Sequence, residues 1–281
     1  MSNLTINDTF NKAIKSGLSG ASAMTIQVSS LMWMRTTMNY QYTNGGTFLK
    51  TIPKLYNEGG IPRFYRGLVP ALMIGPLSRF GDTAANGLAL HLTENNDFCK
   101  NMPIFVSTGM ASILAGSWRI FVLPIDAWKT SKQVHGADGL KLLSQKMKIN
   151  GVSTLYQGAM ASSLATMVGH YPWFLTYNYL NHYFPKIKFE DDLFKALIRN
   201  ASIGFSASLV SDTVSNSIRV VKTVKQTNTN KITYQDAIKS IIKESGMKGL
   251  FFRGLETKLL TNGIQGMCFS VFFKLFQETM N

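Results

Sequence analysis

Six stretches of the chain are apolar and rich in Gly, Ala and Ser: roughly 11–34, 68–92, 103–128, 159–183, 195–218 and 255–277. Each is long enough to cross a bilayer as a helix, which takes about 20 residues. None is uniformly apolar, because Ser78, Arg79, Arg119, His170 and Asp212 interrupt them. Such interruptions are costly against lipid, so the pattern predicts a bundle in which one side of each helix faces a polar interior. The small-residue runs Gly17–Ala23, Gly109–Gly116 and Gly204–Ser208 suit close helix–helix approach. A soluble helical protein with Gly-rich core helices is the alternative that these residues leave open.

Charge sharpens the picture. The 281 residues carry 29 Lys and Arg against 15 Asp and Glu, a net +14, yet only 16% of the chain is charged. Aromatic residues at 11% speak against a disordered chain, and the two cysteines, Cys99 and Cys268, exclude a disulfide framework. The excess is local. Segments Arg35–Arg66, Lys129–Gln157 and Arg219–Arg253 carry +4, +4 and +6, which accounts for the whole +14. Each joins an odd apolar stretch to the next even one, so all three lie on one side of the bundle. The opposite connections, 93–102 and 184–194, are short and balanced or acidic. A basic nucleic-acid binder spreads its charge differently, so no nucleic-acid partner is expected. Leu140–Met147 and Tyr234–Ile242 are amphipathic and suit short helices lying at the interface. Ten residues precede the first stretch without an Arg-rich character, so no cleavable presequence is expected.

The even spacing of the basic segments signals a repeat. Each ends on an aromatic step into glycine: Gly60-Ile-Pro-Arg-Phe-Tyr65-Arg66-Gly67, Gly151-Val-Ser-Thr-Leu-Tyr156-Gln157-Gly158, and Gly246-Met-Lys-Gly-Leu-Phe251-Phe252-Arg253-Gly254, the last with one residue inserted. Upstream of each lies a helix-breaking point followed by a base: Ser30-Leu-Met-Trp-Met-Arg35, Pro124-Ile-Asp126-Ala-Trp-Lys129 and Ser217-Ile-Arg219-Val-Val-Lys222. Two linked signals in three copies are hard to obtain by chance.

On these residues the chain resembles the mitochondrial carrier family, over about 8–280. That family carries Pro-x-acid-x-x-base and acid-Gly-x4-aromatic-base-Gly in each of three repeats, and the second repeat here is the best match. The first and third have Ser30/Met32 and Ser217/Arg219 in place of the proline and acid. The resemblance implies one carrier domain, residues 1–281, with repeats at about 8–95, 100–185 and 192–280. It implies an all-α membrane protein in which six transmembrane helices, in three pseudo-symmetric two-helix repeats, form a barrel, with amphipathic helices in the basic loops. It implies a mitochondrial inner-membrane, multi-pass location (another organelle's membrane is the alternative) with the basic loops facing the matrix.

In such carriers a gate on each side closes around a central site. On the matrix side the bases Arg35, Lys129 and Lys222 are present, but Asp126 is the only acid, so at most one bridge, Asp126 to Lys222, can form in that pattern. Arg219 adds a repelling charge where an acid belongs. Gln133 and Gln226 resemble the family's bracing glutamines, with Asn39 at the first. For the cytoplasmic gate the chain offers Tyr177, Asn178 and Asn181, then Phe273, Lys274 and Gln277, and only the Asn86–Gly87 region on the second stretch. Helix-end capping is the alternative role for these residues.

Counting from the glycine that ends each basic loop, Ile74/Gly75, Ala165/Thr166 and Thr261/Asn262 stand two turns on, with Ser78/Arg79, Gly169/His170 and Gln265/Gly266 one turn further. Helical spacing puts these on one face, and in carriers that face meets the cavity. Thr25, Arg119 and Asp212 precede the odd-stretch breaks by five positions. Intramembrane charges are rare and usually functional, so Arg79, Asp82, Arg119, His170 and Asp212 are the main substrate-binding candidates. Arg119 pairing structurally with Asp212, and His170 as a core histidine, are the alternatives. Arg79 and Arg119 favour an anionic or zwitterionic solute. Trp173, Phe80 and Tyr171 suit packing more than stacking on a base. No Cys/His metal spacing, nucleophile–base pair or phosphate loop is present, so neither catalysis nor a metal is expected. The partners expected are a small-molecule solute and membrane lipids, cardiolipin among them. No cofactor is expected, and the protein is expected to be a monomer. A carrier-fold scaffold or adaptor without transport is the competing reading.

Overall fold

The computed structural model describes residues 25–78, 80–81, 104–185, 187 and 192–265. They are helical, with no strand among them. A helical turn at 25–30 leads through Leu31 into α1, Met32–Asn44. Then come α2 (Phe48–Phe64), α3 (68–78), α4 (Ile104–His135), α5 (Gly139–Asn150), α6 (Ala159–Tyr183), α7 (Leu193–Thr227), α8 (Tyr234–Phe252) and α9 (255–265). A helix from an apolar stretch, an amphipathic helix and a helix from the next apolar stretch thus follow one another three times.

Local chemistry sets the ends. Asp192 caps α7 by accepting from the Lys195 amide at 3.0 Å. Thr233 and Asp236 cap α8 reciprocally, satisfying two amides that the first turn leaves without helical partners. α2 and α8 kink at Gly60 and Gly246 and α5 stops at Gly151, with φ of 62°, 63° and 73°. The chain then turns and enters each even helix at Gly67, Gly158 or Gly254, all again at positive φ. Gly67 carries a second constraint: a Cβ there would meet the Lys129 carbonyl oxygen at 3.0 Å. Glycine is needed both for the left-handed backbone and for the approach of neighbouring helices.

The three odd helices, α1, α4 and α7, touch one another pairwise, while α6 packs along both α4 and α7. Much of the apolar core gathers at the end that carries the basic loops. Tyr42 of α1 joins Val220, Val221 and Val224 of α7 and Ala237 and Ile241 of α8 in one buried cluster. Tyr40, Leu55 and Phe64 form a second, binding α1 to α2, and Val28, Met32 and Ala71 a third, binding α1 to α3.

No helix among the described residues is both long and apolar enough to cross a membrane. Length is not the reason, since α4 has 32 residues and α7 has 35, about 50 Å of helix. Polar side chains are: Ser211, Asp212, Ser215 and Asn216 are all buried along one stretch of α7. The described parts of the apolar stretches are helical, and their buried side mixes polar with apolar residues.

Candidate functional site

Among the described residues, the sites expected from the sequence fall in three places. One is where α1, α4 and α7 converge at the loop-bearing end. There Asp126 of α4 accepts from Lys222 Nζ of α7 through one carboxylate oxygen and from Lys129 Nζ through the other. All three side chains are less than 20% exposed. One acid therefore serves two lysines, and the shared carboxylate lets both cations sit out of water. Arg219 donates through Nε to Ser215 Oγ, one turn back on its own helix, at 3.2 Å.

At the α1–α4 contact the chemistry is neutral. Asn39 Nδ2 donates to Gln133 Oε1 at 2.6 Å, and Gln133 is fully buried. At the α1–α7 contact two hydroxyls meet, Thr43 Oγ1 and Thr227 Oγ1, 3.0 Å apart. Nearby, Thr257 of α9 donates to Gln41 of α1 at 2.5 Å. Gln226, the other glutamine singled out from the sequence, is buried, and neither atom of its amide finds a hydrogen-bond partner among the described residues.

The second place lies further along the helices. Asp212 of α7 is 5% exposed and accepts from Asn262 Nδ2 of α9. Its ion-pair partner is Lys258, one turn before Asn262, at 3.9 Å. Lys258 was missed in the sequence because its counterparts in the other repeats are Ala71 and Ser162; only the count from the loop-ending glycine could have marked it. Gln265 joins α9 to α1: its side-chain oxygen accepts from Arg35 at 3.4 Å and its carbonyl from Gln27 at 3.2 Å. Thr261 and Thr166 are buried and donate to carbonyls of their own helices. Ala165 and Gly75 are buried, Ile74 and Ser78 half-buried, and the Ser78 hydroxyl has no hydrogen-bond partner among the described residues. Thr25 is exposed, and Arg119 and His170 are half-buried, with His170 edge-on to Phe174. Arg79, Asp82, Phe273, Lys274 and Gln277 lie outside the described residues, as do Asn86 and Gly87.

At the far end of α6, Tyr177 stacks on Trp173 with ring centroids 5.0 Å apart, and Asn178 is exposed. Asn181 is held by Arg199 of α7, whose Nη2 reaches its side-chain oxygen at 2.9 Å and the Phe184 carbonyl at 3.0 Å. That guanidinium closes the C-terminus of α6, where carbonyls lack helical partners. No group of three or more metal-ligating side chains occurs among the described residues.

These features define a class: a three-fold helical repeat protein whose long helices are tied at one end by polar contacts across repeats. The mitochondrial carrier protein model matches residues 102–188 and 195–281, and the chain belongs to the mitochondrial carrier family, a family of solute transporters. It is 28% identical over 189 residues to mitochondrial substrate carrier family protein E of Dictyostelium discoideum, covering 61% of each chain. It is 27% identical over 149 residues to a mitochondrial carrier-like protein of Acanthamoeba polyphaga mimivirus, covering 53% of this chain and 57% of the relative. The matches thus span about three fifths of these relatives' length.

Proposed function

We propose that this protein carries a small anionic or zwitterionic metabolite across the mitochondrial inner membrane by alternating access, as a monomeric six-span barrel with its basic loops in the matrix. It takes no cofactor, and cardiolipin is its bound lipid. The observation that carries the reading is the ion pair of Lys222 with Asp126 where the three odd helices meet. A charged tie between repeats at one end of a polar helix face is what a closed matrix-side gate requires: strong when formed, and breakable when a solute rearranges the helices. Arg35, Lys129, Arg219, Gln133 and Gln226 belong to that gate, and Tyr177, Asn178, Asn181, Phe273, Lys274 and Gln277 to the opposite one.

The solute site lies between them. Asp212, Asn262, Gln265, Thr261, Thr166, Ala165, Ile74, Gly75, Ser78 and Thr25 line it, with Arg79, Asp82, Arg119 and His170 supplying charge. A solute carboxylate would be drawn to the guanidinium groups, whose forked donors match it in geometry. The test is exchange by purified protein in liposomes loaded with amino acids, keto acids or phosphorylated metabolites. Uptake that Arg119→Ala reduces at least tenfold is the expected result.

A second reading, a membrane scaffold or adaptor without transport, is favoured by Arg219 standing where an acid would complete a second bridge. Absence of exchange for every solute class, together with silent Arg79→Ala and Arg119→Ala variants in cells, would select it.

A further inference from the structure

The C-terminal carbonyls of α1, α4 and α7 have no helical donors of their own. Each of the three helices meets a buried cation from another repeat. Arg63, in the last helical turn of α2 past the Gly60 kink, is 1% exposed; its Nη1 donates to the Gln133 carbonyl at 2.8 Å and its Nη2 to the Val134 carbonyl at 2.9 Å, both at the end of α4. Lys146 of α5 is 5% exposed and donates through Nζ to the Asn228 carbonyl at 2.6 Å and the Gln226 carbonyl at 3.5 Å, at the end of α7. Arg253, just before Gly254, is 5% exposed and donates through Nη1 to the Thr43 carbonyl at 3.1 Å, near the end of α1.

The direction is the same each time. Repeat 1 caps repeat 2, repeat 2 caps repeat 3, and repeat 3 caps repeat 1. The links form a closed head-to-tail ring. They arise from three different places in the repeat: Lys146 lies within α5, Arg63 in the last turn of α2 past its kink, and Arg253 in the turn after α8. Sequence repetition therefore does not account for the ring. A cation at a helix C-terminus meets both the free carbonyls and the negative end of the helix dipole. Glu58 and Glu244 hold Arg63 and Arg253 from behind, at 2.9 and 3.0 Å, which fixes the guanidinium planes.

We propose that Arg63, Lys146 and Arg253 are positioning residues that close the loop-side end of the bundle as a cooperative ring, doing there what a single acid, Asp126, cannot do alone. Three inter-repeat ion pairs would need three acids at the loop-side end of the odd helices, and among the described residues Asp126 alone stands there. Backbone carbonyls supply the missing acceptors. The purpose assigned to the ring rests on the transport reading; its geometry does not.

A ring differs from three independent caps in one measurable way. Opening one link loosens the contacts at the other two boundaries. The reporter is Thr43→Cys with Thr227→Cys, at the α1–α7 contact, in full-length protein with Cys99→Ser and Cys268→Ser. The rate of disulfide formation is followed with a mild oxidant in liposomes. Arg63→Met is the deciding variant, because Arg63 donates to the end of α4 and to neither Thr43 nor Thr227, whereas Lys146 caps the carbonyls on either side of Thr227 and reports only locally. It is expected to slow cross-linking at least fivefold, with Arg63→Lys restoring it. Retained helical circular dichroism checks the fold, and Arg63→Gln is the second variant. Cross-linking at the parent rate in folded Arg63→Met or Arg63→Gln protein would show three separate caps and overturn the proposal. The assay needs no solute, so a failure to transport leaves this result standing, and a failure of the ring leaves the transport assay untouched.

Discussion

The α4–α7 and α1–α4 contacts occupy equivalent places, yet one is built on charge and the other on amides. Between α4 and α7, Asp126 holds Lys222 and Lys129. Between α1 and α4, Asn39 meets Gln133 with no ionised group involved. The backbone arrangement is shared and the chemistry is not. The difference teaches that closure of this end depends on where the helices are brought, and that a charged contact is the more vulnerable of the two. Breaking an amide pair loses one hydrogen bond; removing Asp126 strands two lysines.

The largest effect should come from that removal. Asp126→Ala is expected to destabilise by about 3–5 kcal/mol, because it leaves buried charge without compensation. Thermal unfolding should fall by roughly 10 °C. Lys222→Met should cost clearly less, since Lys129 still pairs with the aspartate; equal losses would mean that the carboxylate is not shared. Next, Ile241→Ala opens a cavity in the cluster that joins α1, α7 and α8, at an expected cost of about 3 kcal/mol. A loss as large as this outside the polar contacts would show how much of the end is held by packing.

The two glutamines sharpen the contrast. Gln133→Met strands Asn39 and should cost about 1–2 kcal/mol. Gln226→Met removes an amide that has no hydrogen-bond partner among the described residues, and unfolding should shift by less than a degree or move upward. If both variants behaved alike, Gln226 would have a partner in the membrane-bound protein. The last prediction concerns pH. Burial, with the like charge of Lys225 adding to it, lowers Lys146 from 10.5 to about 8. Between those values the unfolded chain binds the proton more tightly than the folded one, so stability rises with pH through that window and falls as pH drops toward 8. Lys146→Met should flatten that part of the stability profile.

Much of the fold was legible before any coordinates. The helical stretches, the basic amphipathic helices between them and the paired loop glycines follow from periodicity and repeat spacing. Gly67, Gly158 and Gly254 adopt positive φ at equivalent points, which is why glycine recurs there in three otherwise different segments. The candidate sites were legible less evenly. Asp126 and Lys222 could be set on facing repeats because each belongs to a motif. Lys258 belongs to none, and its meeting with Asp212 depends on the relative height of α7 and α9. Arg63, Lys146 and Arg253 read from the sequence as ordinary members of basic loops, as exposed as Lys50 or Lys141. Only folding shows them buried.

The sequence by itself determined the three-fold repeat, the order of the helices, the side on which the positive charge collects and the shortage of acids at the loop-bearing end. These are properties of spacing and composition along one chain. Tertiary structure alone decided which cations are buried, that Asp212 pairs with Lys258, and that three bases from unlike positions cap the three odd helices in one rotational sense. The reason is geometric. Periodicity fixes the face of a helix that a residue occupies, whereas its partner depends on how far one helix slides along another, and that offset is set by packing summed over many residues.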